Sequence, residues 1–236
     1  MGSTITLTEE PRMTNIIFIP GLGADERLFE FIKAENCNAH FIRWMKPGPD
    51  ESLLSYVGKI KSQVSSIAHP VLVGVSLGGI VAMELREMMP VQKTILISSI
   101  KTRKEKPVYF DWINKIHLDE AVPAAFLKKS APWIRPLLNG SGNEDAFRIF
   151  KDMLFDADAS FISWGIRMVL EWERTTYEKE NLVHIHGTGD LVFPIRNIVN
   201  CDYKIKDGAH DMILTRADEI NEILAKEISM LSKPAG

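Results

Sequence analysis

Ser76 stands between two glycines, in Gly74-Val75-Ser76-Leu77-Gly78, where the apolar run Val71-Leu72-Val73 gives way to a second apolar stretch ending at Pro90. The spacing fits G-x-S-x-G, the pattern in which a serine tops a sharp turn from strand to helix and presents its hydroxyl for nucleophilic attack. Glycines on either side let the backbone make that turn and let the helix approach the strand without a Cβ clash. A serine hydroxyl is a weak nucleophile at neutral pH, so the reading requires a base and a group that orients the base. Both residue types occur downstream. The segment HIHGTGDLVFP, 184 to 194, delivers Asp190 just past an apolar run, and KDGAHDMIL, 206 to 214, presents His210 in a loop before the last helical pattern.

The elements needed to position these residues are legible as an alternation. Short apolar runs at 15–20, 39–44, 70–75, 93–98, 181–187 and, more weakly, 201–206 read as six strands. Between them lie amphipathic helical patterns. Residues 50–64 place Leu53, Val57, Ile60 and Val64 on one face, with Asp50 or Ser52 as the cap, and Ile80 to Leu85 continue the serine turn as a helix. Residues 215–232 form the last pattern, with Thr215 and Asp218 fitting a capping box. Continuous apolar strands alternating with helices predict an α/β fold with a mainly parallel sheet covered on both faces.

One interval departs from the alternation. Residues 101–180 hold no convincing strand but helical patterns near 108–118, 121–130, 144–155 and 159–173, with a turn at 137–145. This predicts a helical insertion between the fourth and fifth strands, and a core formed by residues 1–100 and 181–236.

With these motifs in place the chain resembles the α/β-hydrolases, from FIPGLGADERLF (18–29) through GVSLGG (74–79) and HGTGDLVFP (186–194) to GAHDMIL (208–214). Serine, then aspartate, then histidine is the chain order of that fold. The resemblance implies Ser76 as nucleophile, His210 as general base and then acid, Asp190 as the residue that holds the imidazole, and 101–180 as a cap. It also implies an oxyanion hole built from the backbone N–H of Leu77 and, from the loop PGLGA (20–24), that of Leu22. Many relatives carry His-Gly where this chain has Pro20-Gly21. Asp202 and Asp207 are close enough in sequence to compete with Asp190, but only 187–194 matches the motif; His40, His69 and His117 are less suitably placed than His210.

Other features bear on the substrate. Twelve of the 20 aromatic residues fall within 101–180, among them Trp112, Trp133, Trp164 and Trp172. They point to an apolar pocket or to the core of the insertion itself. KTRKEK, 101–106, places four basic residues after the fourth strand, as a rim for an anionic substrate or as a solvated loop. His184 and His186 share a strand face without a third metal ligand nearby, and a satisfied strand-end pair is the better reading.

Composition narrows the classes of partner. The 236 residues carry a net charge of −3 and two cysteines, Cys37 and Cys201, which gives no electrostatic footprint for nucleic acid or an anionic membrane and no disulfide framework. No run approaches the length of a membrane span, and residues 1–15 lack the apolar core of a secretory signal. The expectation is a soluble, cytoplasmic monomer or homodimer acting on a small molecule without metal or cofactor. Gly2 fits the loose myristoylation pattern, which chance explains, and Thr4 to Leu7 fit a short edge strand. The reading for function is a serine hydrolase acting on an ester or thioester. The alternatives are a carbon–carbon hydrolase or lyase with the same three residues, and a ligand-binding protein of the same fold.

Overall fold

The structure, a computed structural model, describes residues 13–115, 135, 136, 138 and 143–231. Six parallel strands form one sheet: β1 (Thr14–Ile19), β2 (Cys37–Phe41), β3 (Val71–Val75), β4 (Lys93–Ile97), β5 (Leu182–Gly187) and β6 (Tyr203–Ile205), in the order β2-β1-β3-β4-β5-β6. The helices are α1 (Leu53–Gln63), α2 (Leu77–Met88), α3 (Val108–Lys115), α4 (Glu144–Asp156), α5 (Ala159–Glu171), α6 (Met212–Thr215) and α7 (Ala217–Ser229). Helices α3, α4 and α5 all lie between β4 and β5, as the sequence predicts. The expected edge strand, the lipidation site and the pattern at 121–130 lie outside the described residues, as does most of the turn at 137–145.

Period-two side-chain placement divides the core into two layers. Ile17, Ile19, Leu72, Leu96 and Leu182 face α1, α2 and α5, where they meet Tyr56, Ile80, Met83 and Trp164. Their neighbours Ile16, Phe18, Val71, Val73, Val75, Ile95, Ile97 and Ile185 face the other side, against Leu28, Phe29, Met212, Ile220 and Leu224. The central strands β3 and β4 are buried at every position, which is why they read as continuous apolar runs. Each such Leu, Ile or Val contributes about 1.5–3 kcal/mol by leaving water.

Two boundaries differ from the sequence reading, while the cap of α1 is one of the two residues it offered. Strand β2 runs from 37 to 41 rather than from 39 to 44. As an edge strand it pairs only with β1, while Ile42 and Trp44 are apolar because they turn inward beneath other elements. The last helical pattern is split, α6 ending at Thr215 and α7 beginning at Ala217. The Thr215 hydroxyl faces the Asp211 carbonyl at 3.5 Å, and neither it nor any other side chain caps α7. Helix α1 is capped by Ser52, whose Oγ accepts from the Ser55 amide at 3.2 Å.

The sheet order places a topological switch between β1 and β3: the chain leaves β1 toward β2 on one side and β3 toward β4 on the other. The loops at their carboxyl ends diverge and leave a crevice, the place where open α/β sheets bind ligands.

Candidate active site

Ser76 sits at the end of β3 with φ 53° and ψ −118°, a strained backbone conformation for a residue with a side chain. What over-determines it is close packing. A Cβ on Gly74 would lie 2.4 Å from the Gly78 carbonyl oxygen, and one on Gly78 would lie 2.1 Å from that of Ile19. The Ser76 amide donates to the Ile97 carbonyl at 3.1 Å, and the Ser99 hydroxyl donates to the Ser76 carbonyl at 2.7 Å. Neighbouring β4 therefore clamps the turn from both sides.

The three residues expected from sequence come together. The Ser76 hydroxyl lies 3.0 Å from His210 Nε2, and His210 Nδ1 lies 2.9 Å from Asp190 Oδ2. The other carboxylate oxygen, Oδ1, accepts from the amides of Val192 and Phe193 at 2.8 and 2.9 Å. The Asp190 side chain is fully buried. Burial, the largest influence, pushes its carboxyl upward, but the charge and hydrogen bond of His210, the charge of His186 and the Phe193 amide outweigh it and hold the group below the ordinary carboxylate value. An ionised carboxylate at Nδ1 fixes the imidazole so that Nε2 faces the serine as an acceptor, the geometry for drawing off the hydroxyl proton. The competing acids are engaged elsewhere. Asp202 pairs with Lys179 at 2.5 Å and accepts from the His184 amide at 2.8 Å, while Asp207 occupies a turn at positive φ.

The loop after β1 closes against this array. A Cβ on Gly21 would lie 3.5 Å from that of Ser76, and the Gly21 carbonyl accepts from Trp44 Nε1 at 3.2 Å and from the Ala24 amide at 3.2 Å. Leu22 lines the space in front of the serine, and Leu77 begins α2 directly behind it. Helix α5 presses on both, since a Cβ on Gly165 would lie 2.5 Å from Leu22 Cδ1 and 3.2 Å from Leu77 Cδ2.

In front of Ser76 is a cavity of about 190 Å³. Its walls are the β1 loop and Leu28 on one side, Ile213 and Leu214 of α6 on another, and Phe150, Leu154, Ile162 and Ile166 of α4 and α5 above. Among the described residues, the polar ones lining it are Ser76, His210 and Asp211. Burial, first among the influences on Asp211, pushes its carboxyl up to about 6, with the charge of Asp190 adding to the shift and that of His210 opposing it.

Two features of the sequence were open to a site reading and a structural one, and the described residues support the structural one. The basic run 101–106 forms no rim: Lys101 is completely buried against Glu105, Lys106 donates to the Leu170 carbonyl at 2.6 Å, and Arg103 pairs with Glu173. Among the described residues no lysine or arginine lines the cavity. Among the described residues the insertion's tryptophans are not in the walls either. Trp164 Nε1 donates to the Glu51 carbonyl at 2.7 Å and Trp172 Nε1 to Glu84 at 2.8 Å, whereas the Trp112 side chain is exposed and Trp133 lies outside the described residues. Aliphatic side chains and Phe150 supply the apolar walls instead. Sequence reasoning missed Ser99 and Asp211. Nothing in a local pattern marks Ser99, but Asp211, a charge beside the histidine and just ahead of the apolar run Met212-Ile213-Leu214, was a legible signal.

Fold and site together define the class. The sequence profile of the alpha/beta hydrolase family matches residues 16–223, and the chain belongs to that family. Solved structures similar to it include an esterase from Thermogutta terrifontis, at TM-score 0.73 and 14% identity over 93% of this chain and 91% of that one. A carboxylesterase from the thaumarchaeon Nitrososphaera gargenis matches at TM-score 0.74 and 12% identity, over 96% and 93% of the two chains. The enol-lactonase of Burkholderia xenovorans LB400 matches at 0.64 and 14%, over 92% of each. At these identities the likeness is one of fold. No curated protein matches the chain by sequence. Among the described residues no helix is long and apolar enough to cross a membrane, and no cluster of metal-ligating side chains is present.

Proposed function

We propose that this chain is a serine hydrolase that cleaves a carboxylic ester or thioester of a small, largely apolar substrate through an acyl-enzyme. The observation that carries the reading is the continuous array of Ser76, His210 and Asp190 opening onto an apolar cavity. Ser76 attacks the substrate carbonyl as His210 Nε2 takes its proton; the imidazolium, stabilised by Asp190, then returns that proton to the leaving group. Water repeats the sequence with His210 as base and releases the acid. The backbone N–H groups of Leu77 and Leu22 receive the oxyanion, the first aided by the helix dipole of α2. Residues 101–180 act as a cap whose helices α4 and α5 exclude water and set the space for the acyl or alcohol group. The acidic and apolar lining favours neutral substrates, and free thiols at Cys37 and Cys201 accord with a cytoplasmic protein.

The test is labelling of the native protein with a fluorophosphonate probe, followed by peptide mapping and repeated on Ser76→Ala and His210→Ala. Fast modification confined to Ser76 and slowed at least a hundredfold in the histidine variant is the expected result. Folded protein that stays unmodified would remove the acyl-enzyme mechanism, and with it this function.

A further inference from the structure

Behind Asp190, on the side away from the cavity, lies a chain of buried groups that the proposed mechanism does not use. His186 Nε2 is 2.7 Å from the Phe193 carbonyl oxygen and 3.5 Å from Asp190 Oδ2, the same carboxylate oxygen that meets His210. His186 Nδ1 is 3.2 Å from His184 Nε2, and His184 Nδ1 is 2.6 Å from Lys101 Nζ. Lys101 Nζ in turn lies 2.8 Å from Glu105 Oε1. Glu105 is anchored independently, accepting from the backbone amides of Lys101 at 2.6 Å and Val199 at 2.9 Å. All four side chains, Lys101, Glu105, His184 and His186, are at most 2% exposed.

Donor and acceptor rules permit one polarity for this chain. A lysine ammonium only donates. His184 Nδ1 must therefore accept, which puts the ring proton of neutral His184 on Nε2. That proton is donated to His186 Nδ1, which puts the proton of His186 on Nε2. The last N–H then faces the Phe193 carbonyl and Asp190 Oδ2. Both imidazoles are held neutral in the same sense: burial first, and then the positive charge of Lys101, oppose protonation of His184, and burial does so for His186.

We propose that Lys101 is a positioning residue whose ammonium, acting with the Phe193 carbonyl at the other end of the chain, holds the tautomers of His184 and His186, so that a ring N–H is aimed at the 190–193 turn and at the Asp190 carboxylate. An N–H at this point holds the turn that supplies Asp190. It also shares the Oδ2 lone pairs with His210, moderating the pull of the carboxylate on the imidazolium. Removing the lysine leaves His184 Nδ1 free to take the proton. The chain is then held only from the Phe193 end, and the reversed polarity, which turns a lone pair of His186 toward that carbonyl, gains population.

The inference rests on the proposed roles of Asp190 and His210, and its test separates the two. Among the described residues the titratable groups around His210 are Asp190, His186 and Asp211, with Tyr109 of α3 beyond Asp190; those around Lys101 are Glu105, His184, Tyr177, Cys201 and Lys179. Imidazole nitrogen–proton correlation spectra of the ¹⁵N-histidine protein read the tautomers directly, with no reference to activity. Both His184 and His186 are expected as Nε2–H in the wild type, and a Nδ1–H signal from either overturns the proposal without any variant. In Lys101→Met, His184 is expected to gain Nδ1–H. The rate of fluorophosphonate labelling at Ser76 should fall about tenfold, and the acid limb of its pH profile should move toward higher pH, because Asp190 then meets the His186 N–H for less of the time. Lys101→Met/Glu105→Gln, which removes the stranded buried carboxylate, repeats the measurement should the single variant fold poorly. Unchanged tautomers, or changed tautomers with an unchanged pH profile, overturn the proposal. A wild-type protein that shows the expected tautomers but resists the probe overturns the hydrolase reading and leaves the tautomer assignment standing.

Discussion

Asp211 offers the sharpest quantitative test of the site. Its carboxyl lines an apolar cavity that no lysine or arginine shares among the described residues, and burial pushes it up to about 6 from an ordinary 3.8. The folded chain therefore holds this proton more tightly than the unfolded chain does. Between roughly pH 4 and 6 the native state binds more protons, so stability falls as pH rises through that window and the whole penalty is present above it. At about 1.36 kcal/mol per pH unit the gap between the two values amounts to about 3 kcal/mol. Asp211→Asn keeps the shape of the protonated form and cannot ionise. It should stabilise the protein by about 3 kcal/mol at pH 7.5 and by only about 1 kcal/mol at pH 4.5.

The assay is urea unfolding of both proteins, followed by tryptophan fluorescence, at half-unit intervals between those pH values. A gain that shrinks on acidification supports the argument. A gain independent of pH would show that the asparagine helps by packing alone, and no gain at pH 7.5 would show that the carboxylate is solvated where the cavity geometry makes it buried. Either result removes Asp211 as a charged wall of the site.

Other consequences are open to measurement. Asp190→Asn should preserve folding yet lower the labelling rate of Ser76 about ten-thousandfold, since an amide at this position no longer enforces the productive imidazole tautomer; a loss below tenfold would contradict the role given to Asp190. Leu154→Trp should fill the cavity from α4 and shift hydrolysis of p-nitrophenyl esters toward acetate over butyrate by about tenfold or more, a ratio that stays fixed if the cavity does not hold the acyl chain. Glu84 accepts from Trp172 Nε1 at 2.8 Å and from Arg174 at 2.9 Å. Glu84→Ala should cost about 3 kcal/mol in chemical unfolding by stranding both donors, and a cost under 1 kcal/mol would mean that water replaces the carboxylate.

The array of Ser76, His210 and Asp190 was legible in the sequence because each part of it is local. Ser76 is marked by glycines that sterics demands within four residues, and Asp190 and His210 each follow a strand pattern and occupy a loop at its carboxyl end. The parallel sheet was legible because β3 and β4 are buried on both faces and so read as unbroken apolar runs. What local pattern could not convey was the direction of long side chains. Arg103 and Lys104 stay exposed, but Lys101 and Lys106 point inward: Lys101 pairs with Glu105, four residues on, and its ammonium also meets His184, a residue 83 positions away. The same holds for Trp164 and Trp172 of the insertion, whose indole N–H groups are claimed by Glu51 and Glu84 of the core, leaving aliphatic residues and Phe150 to meet the cavity.

That inversion bears on substrate choice. A site rimmed by lysines would have drawn carboxylates or phosphates and favoured the carbon–carbon cleavage alternative. With Lys101 and Lys106 withdrawn to structural contacts, the charged or titratable groups facing the cavity among the described residues are His210 and Asp211, and a second anion brought beside Asp211 meets repulsion that no cation among the described wall residues offsets. The proposed enzyme should therefore discriminate by charge as much as by size. An ester carrying a terminal carboxylate should be hydrolysed at least tenfold more slowly than its methyl-capped counterpart at pH 7.5, and the difference should narrow in Asp211→Asn. Equal rates for the two esters in the wild type would place the acyl group outside this cavity, with Ser76 approached from a different side.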